Sequence, residues 1–238
     1  VADLINSVAA VKHVVYDKKQ ATKAQLIQTL EDHYVGHDEL LKRCRQAPKY
    51  GTDDPQVDRL VGDLFTFFAD EIEKYKSKFG TMTPGILPVS GNTPFGLEVG
   101  ALPSGRRAWV PLTDGVSPTG GTDIHGSGAV LKSVSHIAHD RFVQGTLLNL
   151  KVEPEMLSDE NGIQQLMALL KSMCSLGVYH VQFNVVDQEK LIDAQNNPDE
   201  YRGLLVRVAG YTAYFTELGK DVQDEIIGRT VLRDISTG

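Results

Sequence analysis

Residues 181–215 read VQFNVVDQEKLIDAQNNPDEYRGLLVRVAGYTAYF. Val181, Phe183 and Val185 alternate with other residues, the two-residue period of a strand. Gln188 to Gln195 then has the pattern of a short helix that stops before Pro198. Leu204, Val206 and Val208 alternate again as a further strand, which runs straight into Gly210. A glycine at a strand end marks a tight bend or the close approach of another backbone. Upstream, Leu148, Leu150 and Val152 share one face of an earlier strand. Ile163, Leu166, Met167, Leu170 and Met173 form a helical stripe closed by Gly177. Strand–helix–strand–helix–strand at this spacing implies parallel strands with right-handed crossovers. The fold class is therefore α/β, as a barrel or an open sheet.

The preceding residues divide in two. Residues 1–80 read as a helical segment. Leu4, Val8, Val11 and Val15 recur at spacings of three and four, and so share a helical face. Thr22 is placed to cap a helix carrying Leu26, Ile27 and Leu30. Asp38 and Glu39 open a third helix with Leu40 and Leu41, stopped near Pro48. Asp54-Pro55 combines an N-cap with an N1 proline and starts a long helix. Its face holds Val57, Val61, Leu64, Phe68 and Ile72, and its end is expected near Gly80. Residues 81–150 are loop-rich, with Gly, Pro, Ser and Thr crowded before residue 128. Ile86, Leu87, Val89, Phe95, Leu97 and Trp109 argue that these loops are ordered and packed. Residues 151–238 complete the alternating segment.

Composition narrows the function. The 238 residues carry 24 Lys and Arg against 31 Asp and Glu, a net charge of −7. That balance argues against nucleic acid as a partner, which needs clustered cations. The 41% hydrophobic content suffices for a packed core. Apolar runs are too short for a membrane-spanning helix. Val1 opens directly on a helix-like pattern with no signal peptide, and the missing initial Met is consistent with a segment of a longer protein. The two cysteines, Cys44 and Cys174, form no C-x-x-C pair and fit a reducing cytoplasm. Both fall in helical stripes and read as core packing. His136 and His139, three residues apart, read as a hydrogen-bonded helix end rather than metal ligands, and no metal site is expected. Gly126-Ser127-Gly128-Ala129 lacks the third glycine of a dinucleotide loop and reads as a loop feeding a helix from Val130 to Ile137. Asp221, Asp224 and Glu225 read as a solvated helix face. The spacing of Tyr211, Tyr214 and Phe215 leaves core and contact roles open.

The string Arg207-Val208-Ala209-Gly210-Tyr211 near the end of the chain resembles the radical signature of the glycyl radical enzymes. Several further strings agree with that family in order. They are SVAAVKHVVYD (7–17), APKYGTDDPQVDRLV (47–61), GNTPFGLEVGALPSGRRAWVPLTDGVSP (91–118), AVLKSVSHI (129–137) and QDEIIGRT (223–230). The resemblance implies the C-terminal half of a ten-stranded α/β barrel preceded by a helical segment. It implies that Gly210 stores a radical, with Arg207, Val208, Ala209 and Tyr211 forming its loop. The chemistry suits glycine: a radical on an α-carbon is delocalised over the adjoining amides only if the centre is flat, and a Cβ would crowd it. Such a loop is expected deep inside the barrel, its backbone polar groups matched by neighbours, with Arg207 a fork-like donor for that or for recognition by a partner.

The resemblance further implies that a cysteine in a Gly-Cys-x-Glu loop becomes the attacking thiyl. Cys44 precedes Arg45-Gln46 and Cys174 precedes Ser175-Leu176, so that loop is expected upstream of this chain. The chain alone would store a radical without completing turnover. The wording of residues 91–118 looks closest to the eliminating lyases: C–S cleavage of a hydroxysulfonate such as isethionate first, then choline lyases, glycerol and propanediol dehydratases, or arylacetate decarboxylases. Thr83 and Leu87 are candidates to face substrate. The implied partners are the rest of the enzyme, a second copy in a homodimer, and an activating enzyme that uses S-adenosylmethionine and an iron–sulfur cluster. The implied location is cytoplasmic or inside a bacterial microcompartment. Asp187, Asn197 and Pro198 flank loops suited to hinge motion. Two other classes are a spare-part subunit that restores the radical to a damaged enzyme, and a plain α/β binding domain in which Gly210 is only a bend.

Overall fold

The computed structural model describes residues 1–87, 90–122, 124–228 and 231–232. Val89, Arg229 and Thr230, singled out above, lie outside the described residues.

The N-terminal helices begin where the sequence supplies caps. Helix α1 (Ala2–Val11) continues into a π-helical turn, Lys12–Asp17. Its packed face is offset from the expected stripe: Leu4 and Val8 are exposed, while Ala2, Ile5 and Ala9 are buried. The alanines let α1 pack against the helix at residues 55–73, which the bulkier residues would hold off. Thr22 and Gln25 form a capping box on α2 (Lys23–Glu31). Helix α3 (Asp38–Gln46) stops before Pro48, and Asp54 accepts from the Gln56 and Val57 amides to cap α4 (Pro55–Glu73). Helix α4 ends earlier than Gly80, because a two-residue hairpin follows: β1 (Lys76–Ser77) pairs with β2 (Gly80–Thr81). Phe65, rather than Phe68, is the buried aromatic of α4.

Cations tie the loop-rich segment together: Arg45 donates to the Gly105 carbonyl, Lys49 to the Ser104 carbonyl, and Arg106 makes the most contacts. Around helix α5 (Asn92–Glu98), the Arg106 guanidinium donates to the carbonyls of Gly96 (2.8 Å), Gly100 (2.9 Å), Val99 (3.3 Å), Pro111 (3.4 Å) and Val110. The Val99 carbonyl also accepts the Trp109 amide and the Gly96 carbonyl the Val99 amide; for the others the side chain supplies a donor where no strand runs alongside. Arg106→Leu is expected to lower stability by about 2–3 kcal/mol, since half-buried carbonyls lose a charged donor. Denaturant titration checks this, and an unchanged midpoint would contradict it. Helix α6 (Gly126–Ser135) starts at Gly126 itself, so the glycine-rich string is its first turn rather than a preceding loop.

The sheet carries the rest. Strand β3 (Leu148–Val152) is buried on both faces. Helix α7 (Glu160–Ser175), capped by Asp159, leads to β4 (Val181–Val185), which pairs with β3 in parallel from Leu148↔Val181 to Val152↔Val185. Helix α8 (Gln188–Asn196), capped by Asp187, follows. The next strand departs from expectation. β5 (Leu205–Arg207) does not join the parallel sheet but pairs antiparallel with β6 (Thr212–Tyr214). Gly210, at φ +80°, reverses the chain between them. Helix α9 (Lys220–Gly228) comes next, and β7 (Val231–Leu232) supplies the third parallel strand on the other edge of β3.

Among the described residues three hydrophobic clusters form. One, of Val14, Leu26, Tyr34, Leu41 and Cys44, joins the N-terminal helices. The other two bear on the sheet and the Gly210 loop. The larger of these gathers Ile5, Tyr50, Val61, Val130, Leu148 and Leu169, with Val181 and Phe183 packed against it. The second, smaller one consists of Leu191, Ala194, Val206, Val208, Phe215 and Ile226. Phe215 therefore has a core role, whereas Tyr211 and Tyr214 are exposed. Cys44 is buried, and burial pushes its thiol pKa up, as suits packing. Cys174 is exposed, contrary to its expected core position, because it lies on the outward side of α7. Among the described residues no helix is long and apolar enough to cross a membrane.

His136 and His139 are both tied into the end of α6. His136 Nδ1 lies 2.9 Å from the Lys132 carbonyl. His139 is buried, its Nε2 3.0 Å from the Val134 carbonyl and its Nδ1 2.6 Å from the Thr146 hydroxyl. The carbonyl can only accept, so Nε2 carries the proton and Nδ1 accepts from Thr146. Burial lowers the His139 pKa. The unfolded chain thus takes up a proton that the folded one resists, and stability should fall as pH drops below about 6.5. His139→Gln should flatten that dependence in thermal melts between pH 7 and 5; an equally steep variant would rule out His139 as the cause.

Candidate functional site

The residues around Gly210 divide by burial. Val206, Val208 and Ala209 are buried, while Arg207, Gly210 and Tyr211 are exposed in this chain. The expected shelter deep in a barrel is thus not supplied by these residues alone. Among the described residues the parallel sheet has three strands, with β4, whose Gln182 accepts from Gly210, at one edge. The need for glycine also has a different local origin from crowding. A Cβ at 210 would meet no described atom within 4 Å, but φ +80° is a conformation that side chains rarely adopt. The turn closes with the Val208 amide donating to the Tyr211 carbonyl at 2.9 Å.

Strand β4 holds this loop with two side-chain amides. Asn184 Oδ1 accepts the Arg207 amide at 2.9 Å, and Asn184 Nδ2 donates to the Arg207 carbonyl at 2.8 Å. That pair mimics a strand ladder through a side chain. Gln182 Oε1 accepts the Gly210 N–H at 2.9 Å. Gln182 Nε2 donates to Asn149 Oδ1 on β3 at 2.6 Å, and Asn149 Nδ2 donates to the Asp114 carboxylate. The Asn149 amide in turn donates to the Ser117 hydroxyl at 3.1 Å. Asp114, Asn149, Gln182 and Asn184 are all buried. The Arg207 guanidinium reaches the Thr212 hydroxyl at 3.2 Å, while Asn184 serves the Arg207 backbone.

The important residues of β3 and β4 are thus the ones between the apolar positions. Val181 and Phe183 are only partly buried, whereas Gln182 and Asn184 are buried on the opposite face. A signal was present. In a strand covered on both faces, polar residues at 149, 182 and 184 must find partners inside.

Other candidates fall elsewhere. The Thr83 carbonyl and hydroxyl both accept from Gln144 Nε2, at 2.9 and 3.1 Å. Ile86 pairs in parallel with Thr146, which puts Thr83 and the partly exposed Leu87 beside the start of β3. No hydrogen bond among the described residues joins either to the Gly210 loop. A cavity of about 340 Å³ lies between the 111–120 loop and α9, lined by Asp114, Asn149, Asp221, Asp224 and Glu225. The acidic side of α9 thus faces this cavity as well as solvent. Asp224 accepts from Gln195 at 2.7 Å, which together with Lys220 lowers its pKa. Among the described residues no group of three His, Cys, Asp or Glu is arranged to hold a metal ion.

Comparison with known proteins matches residues 112–216 to the glycine radical model and residues 1–96 to the pyruvate formate lyase-like model. The probable dehydratase YbiW of Escherichia coli K12 is 41% identical over 241 residues, covering 97% of this chain and 30% of its own length. The isethionate sulfite-lyase of Bilophila wadsworthia is 36% identical over 230 residues, covering 95% of this chain and 28% of its own. Among solved structures, the glycerol-bound B12-independent glycerol dehydratase of Clostridium butyricum superposes with a TM-score of 0.93. It is 40% identical and covers 97% of this chain and 29% of that one. The chain thus spans about 30% of the length of the curated relatives it matches.

Proposed function

Because this chain belongs to the glycyl radical enzymes and forms part of their α/β barrel, we propose that Gly210 is the residue on which the radical is stored. One observation carries this reading: Gly210 alone in the Arg207–Tyr211 loop combines a positive φ with an N–H fixed by a buried amide of the barrel sheet. Val208 and Ala209 pack the loop from beneath, and Arg207 and Tyr211 flank it.

In the whole enzyme, a cysteine upstream of this chain gives its thiol hydrogen to the Gly210 α-carbon. The S–H bond breaks, the Cα–H bond forms, and a thiyl remains. The thiyl takes hydrogen from the hydroxyl-bearing carbon of a small substrate, and the neighbouring carbon–heteroatom bond breaks. For a vicinal diol, the neighbouring hydroxyl leaves as water with the proton of the radical carbon's own hydroxyl. The product radical recovers its hydrogen from the thiol. Thr83 and Leu87 are proposed to face substrate from beside the start of β3.

Dehydration of a small diol is the reading favoured here. A probable dehydratase at 41%, a glycerol dehydratase at 40% and a structure titled for 1,2-propanediol dehydration at 38% support it. Other dehydratases at 34% stand level with the isethionate sulfite-lyases at 34–36%. C–S cleavage of a hydroxysulfonate is the second reading, supported by those same sulfite-lyases. Activation by a radical S-adenosylmethionine enzyme with an iron–sulfur cluster, a homodimer and a cytoplasmic or microcompartment setting belong to the same proposal. The full-length enzyme, activated anaerobically, should release aldehyde from propane-1,2-diol or glycerol. Sulfite with acetaldehyde from isethionate, or trimethylamine with acetaldehyde from choline, and no aldehyde from propane-1,2-diol or glycerol, would overturn the dehydratase reading.

A further inference from the structure

The polar chain that ends on Gly210 has a direction. Asp114 offers only acceptors, so the Asn149 amide must turn its NH₂ toward the carboxylate. Asn149 Oδ1 is thereby left facing Gln182 and accepts its NH₂ at 2.6 Å. Gln182 Oε1 is then left for the Gly210 N–H at 2.9 Å. Each amide is fixed by the one before it, and all three side chains are buried, where such chains polarise one another. A carboxylate at the far end makes the last oxygen a stronger acceptor than an isolated amide.

The receiving group is the nitrogen next to the α-carbon. An acceptor on that N–H shifts electron density onto the nitrogen, and the nitrogen lone pair is one of the two groups that delocalise an α-carbon radical. It also fixes the plane of the 209–210 peptide, which sets the overlap. Asn184, holding both backbone groups of Arg207, steadies the strand leading in. We propose that Asp114, Asn149 and Gln182 are positioning residues that stabilise the glycyl radical through the Gly210 N–H, in addition to holding the loop. This rests on Gly210 being the radical residue.

The test uses the full-length enzyme activated anaerobically, with Gln182→Leu and Asn149→Leu as variants. Two quantities are read: radical per chain, and the couplings of the radical to its own ¹⁵N and exchangeable amide proton by electron–nuclear double resonance. Gln182→Leu is expected to lower the radical yield about tenfold, the factor carried by one net hydrogen bond of about 1.4 kcal/mol. It should also shift both couplings. Asn149→Leu leaves the last acceptor in place but removes its polarisation, so it should shift the ¹⁵N coupling in the same direction by less. A merely structural role lowers the yield without moving the couplings of the radical that forms. Wild-type couplings in Gln182→Leu would therefore overturn the proposal, and so would wild-type couplings in Asn149→Leu should the first variant fail to fold. A wild-type enzyme with no glycine-centred radical would instead overturn the Gly210 assignment, and the relay with it.

Discussion

Alanine at position 210 is expected to abolish both the glycine-centred radical and turnover in the full-length enzyme, while leaving the chain folded. Two separate effects decide this. The first is conformational. At φ +80° an alanine costs about 1–2 kcal/mol, which a folded domain of this size tolerates. The added Cβ meets no described atom within 4 Å, so no packing penalty joins that strain. The second effect is chemical. Alanine keeps an α-hydrogen, but its methyl group crowds a flat centre against the adjoining peptides and removes the planar delocalisation glycine permits. Anaerobic electron paramagnetic resonance and a product assay measure the outcome, with circular dichroism recording the fold. A Gly210→Ala enzyme that keeps the signal and the activity would refute the assignment.

The second large effect is expected from Phe215→Ala. Phe215 is fully buried at the centre of the smaller core, against Leu191, Val206, Val208 and Ile226. Its amide donates to the Leu204 carbonyl, and its carbonyl accepts from Gln223 Nε2 at 2.9 Å. Truncation should destabilise this core by about 3–5 kcal/mol. The larger core is separate, and β3 and β4 meet the smaller unit largely through polar groups. Asn184 clasps Arg207, Gln182 holds Gly210, and the buried Lys151 donates to the Ile227 carbonyl at the end of α9. Loss should therefore be local. Hydrogen exchange should rise across residues 188–228 while β3 and α6 stay protected. Equal loss of protection in both cores would show that they unfold as one unit.

What the residues disclosed follows from local rules. The caps read at Thr22 and Asp54 sit at helix starts because their side chains satisfy otherwise orphaned amides, and the structure adds Asp159 and Asp187 by the same rule. The strand periods at 148–152 and 181–185 and their parallel pairing follow from the intervening helix. Period alone misplaced the strand before Gly210. Leu204, Val206 and Val208 alternate as a sheet strand would, but a tight turn at φ +80° returned the chain onto itself. The face of α1 was likewise set by what α4 accepts, a tertiary choice that the 3.6-residue period does not contain. Gly210 stood out because it follows a β-branched run. Its partners did not, since Gln182, Asn149 and Asp114 are distant in sequence and meet only through strand register. Shelter for the loop was the furthest from view, because the residues that would close the barrel around it are not among these strands.

The most direct measurement is the resonance spectrum of anaerobically activated full-length enzyme grown on glycine labelled with ¹³C at the α-carbon. A radical centred on Gly210 predicts a doublet that splits further with the label and vanishes in Gly210→Ala. An unsplit signal, or a silent sample that still turns over substrate, would contradict it.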